Sequence, residues 1–351
     1  MAKSLTNRKK LLIIFLVILA LVVIFQKQLL THLKIILFIT EEFPQIPVKP
    51  LGLITQSPQH EWVEFDPPAG GGKVVADLYI PQKPQQPQPA VILAMGVKTS
   101  EDDKPLIWHF GETMARLGYV VLWPRLEVLD KGQSLPEEPE TFLESFKYVA
   151  GLPQTDSERI TFVGFSVGSS TALVAASQPE ISDKVHALVF FGGQFNIFDY
   201  LLSLTTKTYQ RDGKRIEWKV ADDARNHTKT LLEVKHATQA SQIFEIDDEN
   251  KIKDIFSNLP SIEKEALQRY NPQKHLPDFK GKLFILHDMS DNYVPYVESV
   301  KLSQALPKQQ IGAFILTNLF EHVQPKRPLS WQNIKELFKL YGFLYKTLNF
   351  L

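Results

Sequence analysis

The chain has 351 residues and no cysteine, and its 39 lysine and arginine residues balance its 39 aspartate and glutamate residues. This length permits one large α/β core with an insertion, and the missing cysteine excludes disulfides, thiolate zinc sites and iron–sulfur clusters. The balanced charge, with no lysine- and arginine-rich run in the globular part, argues against a nucleic-acid partner.

An apolar run near the N-terminus predicts a membrane anchor. Leu11 to Phe25 contains no charged residue, and four basic residues precede it, namely Lys3, Arg8, Lys9 and Lys10. This is the layout of a signal peptide or a signal anchor. No A-x-A-like cleavage site follows the run, and a second apolar stretch occupies Leu33 to Ile39, so a retained anchor over residues 1–40 is favoured.

The length of the run and its flanking charge predict how the anchor is placed. A helix over Leu11 to Phe25 rises about 22 Å, less than a hydrocarbon core of roughly 30 Å, so the spanning helix is expected to continue through Leu29 and Leu30. By the positive-inside rule the N-terminus is expected in the cytoplasm and the rest of the chain outside it, as an extracytoplasmic domain on a single-pass anchor. The alternative is a buried helix of a soluble protein.

Residues 41–60 are rich in proline and predict a stiff, extended tether between the anchor and the globular body. The prolines are Pro44, Pro47, Pro50 and Pro58. The globular domain is then expected over residues 61–351.

From residue 61 onward, apolar strand-like segments alternate with segments of helical spacing. A predicted hairpin of Glu61 to Phe65 and Lys73 to Ile80 opens the domain. The later strand-like segments are Ala90 to Ala94, Tyr119 to Trp123, Ile160 to Val163, Val185 to Phe191, Lys282 to Leu286 and Ile311 to Thr317. This order predicts an α/β fold with a mostly parallel, doubly wound sheet. The stretch from about residue 199 to residue 276 is more charged than the rest of the domain, and it is predicted to form a mainly helical cap inserted into that fold.

A candidate nucleophile stands at Ser166, in the pattern Gly-Phe-Ser-Val-Gly over residues 164–168. An apolar strand leads into the pattern and a small-residue helix leaves it. A serine on such a sharp strand-to-helix turn sits in strained backbone with its oxygen exposed, and the flanking glycines let neighbouring backbone pass closely. The helix start also places free N–H groups beside the reacting centre.

A serine hydroxyl needs a base, and His322 is the preferred candidate among nine histidines. It follows the last strand-like segment, where a loop can reach over the edge of the sheet. His287 is the rival, because it ends the strand-like segment at Lys282 to Leu286. A histidine in that position more often stabilises a turn.

The third member must be a buried carboxylate that orients the imidazole. Two acids, Asp288 and Asp291, follow the strand that ends at His287. Asp291 is preferred because it lies farther along the turn, with Val294 and Pro295 starting a helix behind it.

The order serine, aspartate, histidine, together with the elbow at residues 164–168 and the H-x-x-x-D-x-x-V-P turn at 287–295, resembles the α/β-hydrolase superfamily, with dienelactone-hydrolase-like esterases as the nearest branch. The resemblance implies an α/β-hydrolase fold in which Ser166 attacks an acyl carbon, His322 transfers the proton and Asp291 orients His322. It also implies an oxyanion hole of backbone N–H groups, for which Val167 and Val97 are the candidates. Met95-Gly96 stands where many members have His-Gly, but a side-chain change need not remove main-chain donors.

The resulting hypothesis is a membrane-anchored serine hydrolase that cleaves a small-molecule carboxylic ester through an acyl-enzyme, without a cofactor or a metal. No pair of histidines has the spacing of a zincin helix, and Gly70-Gly71-Gly72-Lys73 lacks the spacing of a phosphate loop. Peptidases, thioesterases, lipases and acyltransferases share the same triad and stay open. A binding module with a silent site is the alternative from another class, and a lipid-docking cap is a third idea.

Overall fold

The computed structural model describes residues 25–66, 73–82, 86–96, 104–125, 138–234, 237–246, 248–325 and 333–351. The strands are β1 (Gln59–Phe65), β2 (Val74–Ile80), β3 (Gln88–Ala94), β4 (Val120–Arg125), β5 (Thr155–Phe165), β6 (Val185–Phe191), β7 (Thr208–Arg211), β8 (Lys214–Glu217), β9 (Lys282–Asp288) and β10 (Ile311–Thr317). Eight of them form one sheet in the order β1-β2-β4-β3-β5-β6-β9-β10. β2 runs antiparallel to both its neighbours, whereas the pairs from β4 to β10 are parallel.

The helices are α1 (Gln26–Glu42), α2 (Leu51–Ile54), α3 (Lys104–Arg116), α4 (Glu138–Ala150), α5 (Val167–Ala176), α6 (Ile197–Thr206), α7 (Asp222–Val234), α8 (Thr238–Ser241), α9 (Glu249–Ser257), α10 (Ser261–Arg269), α11 (Pro272–His275), α12 (Val297–Ala305) and α13 (Ile334–Phe350). Both faces of the sheet are covered. In β3, Ala90, Ile92 and Ala94 pack with the layer of α4, α5 and α12, whereas Val91 and Leu93 pack with the layer of α1, α3 and α13. The predicted α/β fold with a mostly parallel sheet is therefore confirmed.

The helix α1 lies against this body. Ile35 is fully buried among residues of α3 and α13, and the stretch Leu33 to Ile39 belongs to this docked helix. Among the described helices, none combines the length and the apolarity needed to cross a membrane. The predicted spanning run from Leu11 to residue 24 lies outside the described residues.

Residues 43–57 do not form the extended spacer that their prolines predict. Phe43 and Leu51 are buried in the body. Lys49 Nζ donates to three main-chain carbonyls at the end of α1, at 2.6–3.0 Å, and Arg116 of α3 donates to a carbonyl of the segment at 3.1 Å. Proline fixes φ but leaves apolar neighbours free to pack, and here they hold the segment on the protein surface.

The segment between β6 and β9 forms the cap and contains α6 to α11. It has its own core, which includes Leu201, Leu204 and Ile243. A small hairpin of β7 and β8, absent from the sequence prediction, turns at Asp212 and Gly213 with φ angles of 49° and 74°. Asp-Gly is the strongest short signal for such a turn, so the hairpin could have been predicted.

Candidate active site

Ser166 occupies the sharp turn between β5 and α5. Its φ and ψ of 53° and −134° lie outside the regions that L residues normally adopt, and the residue is partly exposed. Both glycines of the pattern are sterically required. A Cβ at Gly164 would lie 2.4 Å from Ser169 Cα, and a Cβ at Gly168 would lie 2.2 Å from Ala94 O. The elbow therefore has the close packing that the sequence pattern predicts.

The end of β6 lies between the serine and two further polar residues. Ser166 N donates to Phe191 O at 2.8 Å. The next residue, Gly192, has a φ of 68°, and a Cβ there would lie 3.5 Å from Asp291 Oδ2 and 3.8 Å from His322 Cε1. Two consecutive residues of β6 and its loop thus adjoin all three predicted triad members. A side chain at Gly192 would crowd the histidine and the aspartate.

His322 and Asp291 form a hydrogen-bonded pair. His322 Nδ1 lies 2.6 Å from Asp291 Oδ2, and the aspartate side chain is fully buried. Asp291 Oδ1 accepts from the N–H groups of Tyr293 and Val294 at 2.8 and 3.0 Å. Burial on its own would raise the pKa of Asp291, but the charges and hydrogen bonds of His322 and His287 outweigh it and hold that pKa below its usual range.

His287 lies behind the pair and is fully buried. Its Nε2 donates to Val294 O at 3.0 Å and lies 3.3 Å from Asp291 Oδ2, while Nδ1 lies 2.7 Å from Ser299 Oγ. The residue therefore supports the turn over residues 289–295 that carries Asp291, which we call the acid turn, and stabilising a turn is the role the sequence suggested for it.

Asp288, the rival acid, joins two loops. Its Oδ1 accepts from Ser290 N at 2.9 Å, and its Oδ2 accepts from Phe320 N at 2.9 Å, two residues before His322. The sequence places Asp288 in the same turn as Asp291 but carries no signal for this bond, because Phe320 is 32 residues away.

The candidate oxyanion donors lie on two segments that meet at the serine. Val167 is the first residue of α5, where main-chain N–H groups have no acceptor within the helix. A Cβ at Gly96 would lie 2.9 Å from Ser166 Cβ and 3.4 Å from its Oγ, so the loop after β3 touches Ser166. Val97, the other predicted donor, lies outside the described residues.

The cap binds directly to the acid turn. Trp218 Nε1 donates to Asp291 O at 2.7 Å, and Ala221 N donates to Asn292 O at 2.8 Å. These cap residues were not predicted as part of the site, because their role depends on a contact across more than 70 residues. The turn that carries the acid is thus held by the cap as well as by the sheet.

Over the described ranges, no group of three or more histidine, aspartate or glutamate side chains is close enough to hold a metal ion. The chemistry that the described residues offer is that of a hydroxyl beside an imidazole and a buried carboxylate.

A family model described as BD-FAE matches residues 76–306, about two thirds of the chain. This range contains Ser166 and Asp291 and ends before His322. No curated protein matches the sequence.

Solved structures share the fold at low identity. An acylaminoacyl peptidase of Pyrococcus horikoshii is 14% identical with a TM-score of 0.53, over 85% of this chain and 42% of that one. A dipeptidyl peptidase 4 of Porphyromonas gingivalis is 14% identical with a TM-score of 0.52, over 83% and 36%. A 2,6-dihydroxy-pseudo-oxynicotine hydrolase is 15% identical with a TM-score of 0.52, over 83% and 68%. The chain thus spans about two fifths of the length of the two peptidases, and at these identities the likeness concerns the fold alone.

Proposed function

The chain belongs to the BD-FAE family of the α/β-hydrolase superfamily, and we propose that it is a serine hydrolase of carboxylic esters with Ser166, Asp291 and His322 as its triad. The observation that supports this most directly is the 2.6 Å contact between His322 Nδ1 and the buried carboxylate of Asp291. That pair adjoins Gly192, and the residue before it, Phe191, accepts a hydrogen bond from the main-chain N–H of the strained Ser166.

The hydrogen bond assigns the histidine tautomer. An ionised carboxylate only accepts, so Nδ1 of His322 carries the proton and Nε2 is the basic nitrogen. In the proposed reaction Nε2 takes the Ser166 proton as Oγ bonds to the ester carbon. It then gives that proton to the departing alcohol, which leaves an acyl group on Ser166. A water molecule repeats the sequence and releases the acid.

The negative charge that develops on the ester oxygen needs main-chain donors. We assign these to the N–H of Val167, supported by its place at the start of α5, and to the N–H of Val97. The contact of Gly96 with Ser166 supports the second assignment, because it brings the loop before Val97 against the nucleophile.

We further propose that Leu11 to Phe25 attaches the chain to a membrane and that the hydrolase domain is extracytoplasmic. The basic residues before the run and the missing cleavage site support this.

The test of the reaction class compares matched acyl groups on two leaving groups. Because p-nitrophenyl esters are intrinsically more reactive than p-nitroanilides, turnover of the anilide itself decides the class. The purified chain should hydrolyse the p-nitrophenyl ester and show no turnover of the corresponding p-nitroanilide, whereas turnover of the anilide would identify a peptidase. A folded chain that cleaves neither and yet binds one of these compounds would favour a binding module.

A further inference from the structure

The side of α1 that faces away from the body is apolar. Phe25, Leu29, Leu33 and Ile36 are 49%, 51%, 46% and 52% exposed, and their spacing of three or four residues places them on one side of the helix. The opposite side is apolar too, because Ile35 is buried in the body. A helix on a protein surface normally turns polar residues outward, so the outward side of α1 is unusual for a surface in water.

The helix α13 continues this apolar side. His32 of α1 stacks on Tyr345 with ring centres 4.8 Å apart, and its Nδ1 lies 2.6 Å from the Tyr341 hydroxyl. Ile334 and Phe338 precede Tyr341 by seven and three residues and therefore lie on the same side of α13. They are 38% and 72% exposed. We call the exposed apolar residues on this side of the two helices the apolar face; they are Phe25, Leu29, Leu33, Ile36, Ile334 and Phe338.

A row of lysines borders the apolar face. Lys335, Lys339 and Lys346 are exposed and follow one side of α13, next to the side that carries Phe338. Lys339 also pairs with Glu336 at 2.7 Å. Exposed aromatic and aliphatic residues beside lysines, with tyrosines nearby, are typical of helices that lie in the interface of an anionic bilayer.

We propose that the apolar face lies in the lipid interface and seats the hydrolase domain directly on the membrane. The proposal rests on the membrane attachment proposed above. The apolar run from Leu11 leads without interruption into Phe25 and so into this face, which sets the start of α1 where the chain would leave the bilayer. The segment after α1 is packed on the body, so no free spacer separates the hydrolase domain from the proposed membrane attachment.

Two other occupants fit the observations less well. A second copy related by a twofold axis would bring two rows of lysines to the same interface, which like-charge repulsion opposes. The run Leu11 to Phe25 is apolar all round, so covering the face with it would leave its other sides in water.

The chain has no cysteine, so single cysteines can report on this contact. Leu33→Cys and Phe338→Cys test the apolar face. Ile262→Cys on α10 of the cap is the matched control, because Ile262 is also aliphatic and is 75% exposed. Each full-length variant is first required to melt at the wild-type temperature. It is then labelled with bimane and reconstituted into phosphatidylcholine–phosphatidylglycerol vesicles with or without nitroxide-labelled lipid.

We expect the lipid nitroxide to quench the labels at positions 33 and 338 by about twofold or more and to leave the label at 262 unchanged. A chain that floats with the vesicles but shows no quenching at 338 would overturn the proposal, as would quenching at 262 alone, which would turn the cap to the lipid. Protection of position 338 from aqueous iodide in a dimer in detergent would assign the face to a second copy. Loss of flotation with intact ester hydrolysis would refute the membrane contact while leaving the proposed reaction standing.

Discussion

Ser166 and His322 both have positive φ angles, of 53° and 56°, in regions that side chains with a Cβ rarely adopt. Such backbone persists only where the surrounding structure fixes it. At Ser166 the fixing contacts are the bond to Phe191 O and the packing at Gly168. Near His322 the bond from Phe320 N to Asp288 ties the loop to β9. Asp291 therefore binds the imidazole of His322, whereas Asp288 binds the loop that carries His322, and mutations can separate these two roles.

Replacing Asp291 by asparagine should lower kcat for esters by about 10³- to 10⁴-fold with little change in KM. The amide still fills the buried space, but it no longer supplies a charge that holds Nδ1 protonated and stabilises the imidazolium. Steady-state kinetics with a p-nitrophenyl ester, together with a thermal melt, measures both effects.

Asp288→Asn is the matched comparison. One of its two acceptor oxygens becomes an NH₂ group, so either Ser290 N or Phe320 N loses its partner. We expect a loss of stability of about 1–3 kcal/mol and a fall in kcat far smaller than that of Asp291→Asn. Equal losses of kcat in two equally stable variants would contradict the assignment of the acid.

Among the structural elements, the elbow and α13 offer a contrast between two glycines. Gly168→Ala would place a Cβ 2.2 Å from Ala94 O, in contact with backbone that cannot move aside, and should abolish activity or folding. Gly342→Ala in α13 meets nothing within 4 Å and should stabilise the protein by about 0.5–1 kcal/mol, since glycine disfavours a helix interior. Urea denaturation and ester hydrolysis distinguish the two outcomes, and an active, stable Gly168→Ala variant would be inconsistent with the close packing described.

The docking of α1 gives the molecule a pH-dependent stability. Burial raises the pKa of Glu42, at the end of α1, to about 7. The folded protein then keeps this proton up to about pH 7, whereas an unfolded glutamate releases it near pH 4.3. Between these values the folded state binds more protons, so the free energy of unfolding falls as pH rises, by at most about 1.4 kcal/mol per unit.

Glu42→Gln should remove this slope, so that the variant is more stable than the wild type at pH 8 and similar to it at pH 4. Urea midpoints measured between pH 4 and 8 check this, with the exposed Glu158→Gln as a control that should keep the wild-type slope. A wild-type slope in Glu42→Gln would show that other groups cause it.

The sequence predicts the sheet and the elbow well because both depend on local patterns. Val185 to Phe191 matches β6 at both ends, since a buried parallel strand is a continuous apolar run between turn signals. Ile311 to Thr317 matches β10 at both ends as well, because this half-buried edge strand is also mainly apolar. Residues of the spacer predicted over 41–60 pack on the body, because proline content reports local stiffness and not tertiary packing. The hydrogen bond from Phe320 N, in the loop that carries His322, to Asp288 has no signature in the local sequence.

At the scale of the whole molecule, the cap and the α/β body share the acid turn. Trp218 reaches from the cap to the carbonyl of Asp291, and Tyr293 in the turn reaches back to Asp223 of α7 at 2.9 Å. The cap therefore contributes to holding the acid in place as well as covering this edge of the sheet.

Trp218→Phe should leave the Asp291 carbonyl buried without its donor, and should reduce stability by about 1–3 kcal/mol and lower kcat even for a small ester. Tyr293→Phe removes the hydrogen bond to Asp223, which is only partly buried, and should have the smaller effect on stability and on kcat. Kinetics with p-nitrophenyl acetate and thermal melts compare the two variants. A larger loss in Tyr293→Phe would contradict the bracing role of Trp218.

The most direct test of the central claim is covalent labelling by a fluorophosphonate probe. The full-length chain is used because α1 is part of the packed body, and it is kept in detergent because an apolar run precedes α1. The account predicts labelling of the wild type at Ser166, no labelling of Ser166→Ala, and labelling of His322→Ala slowed by about 10³-fold or more. A folded wild-type chain that does not react, or that reacts equally well without His322, would contradict an activated serine at this site.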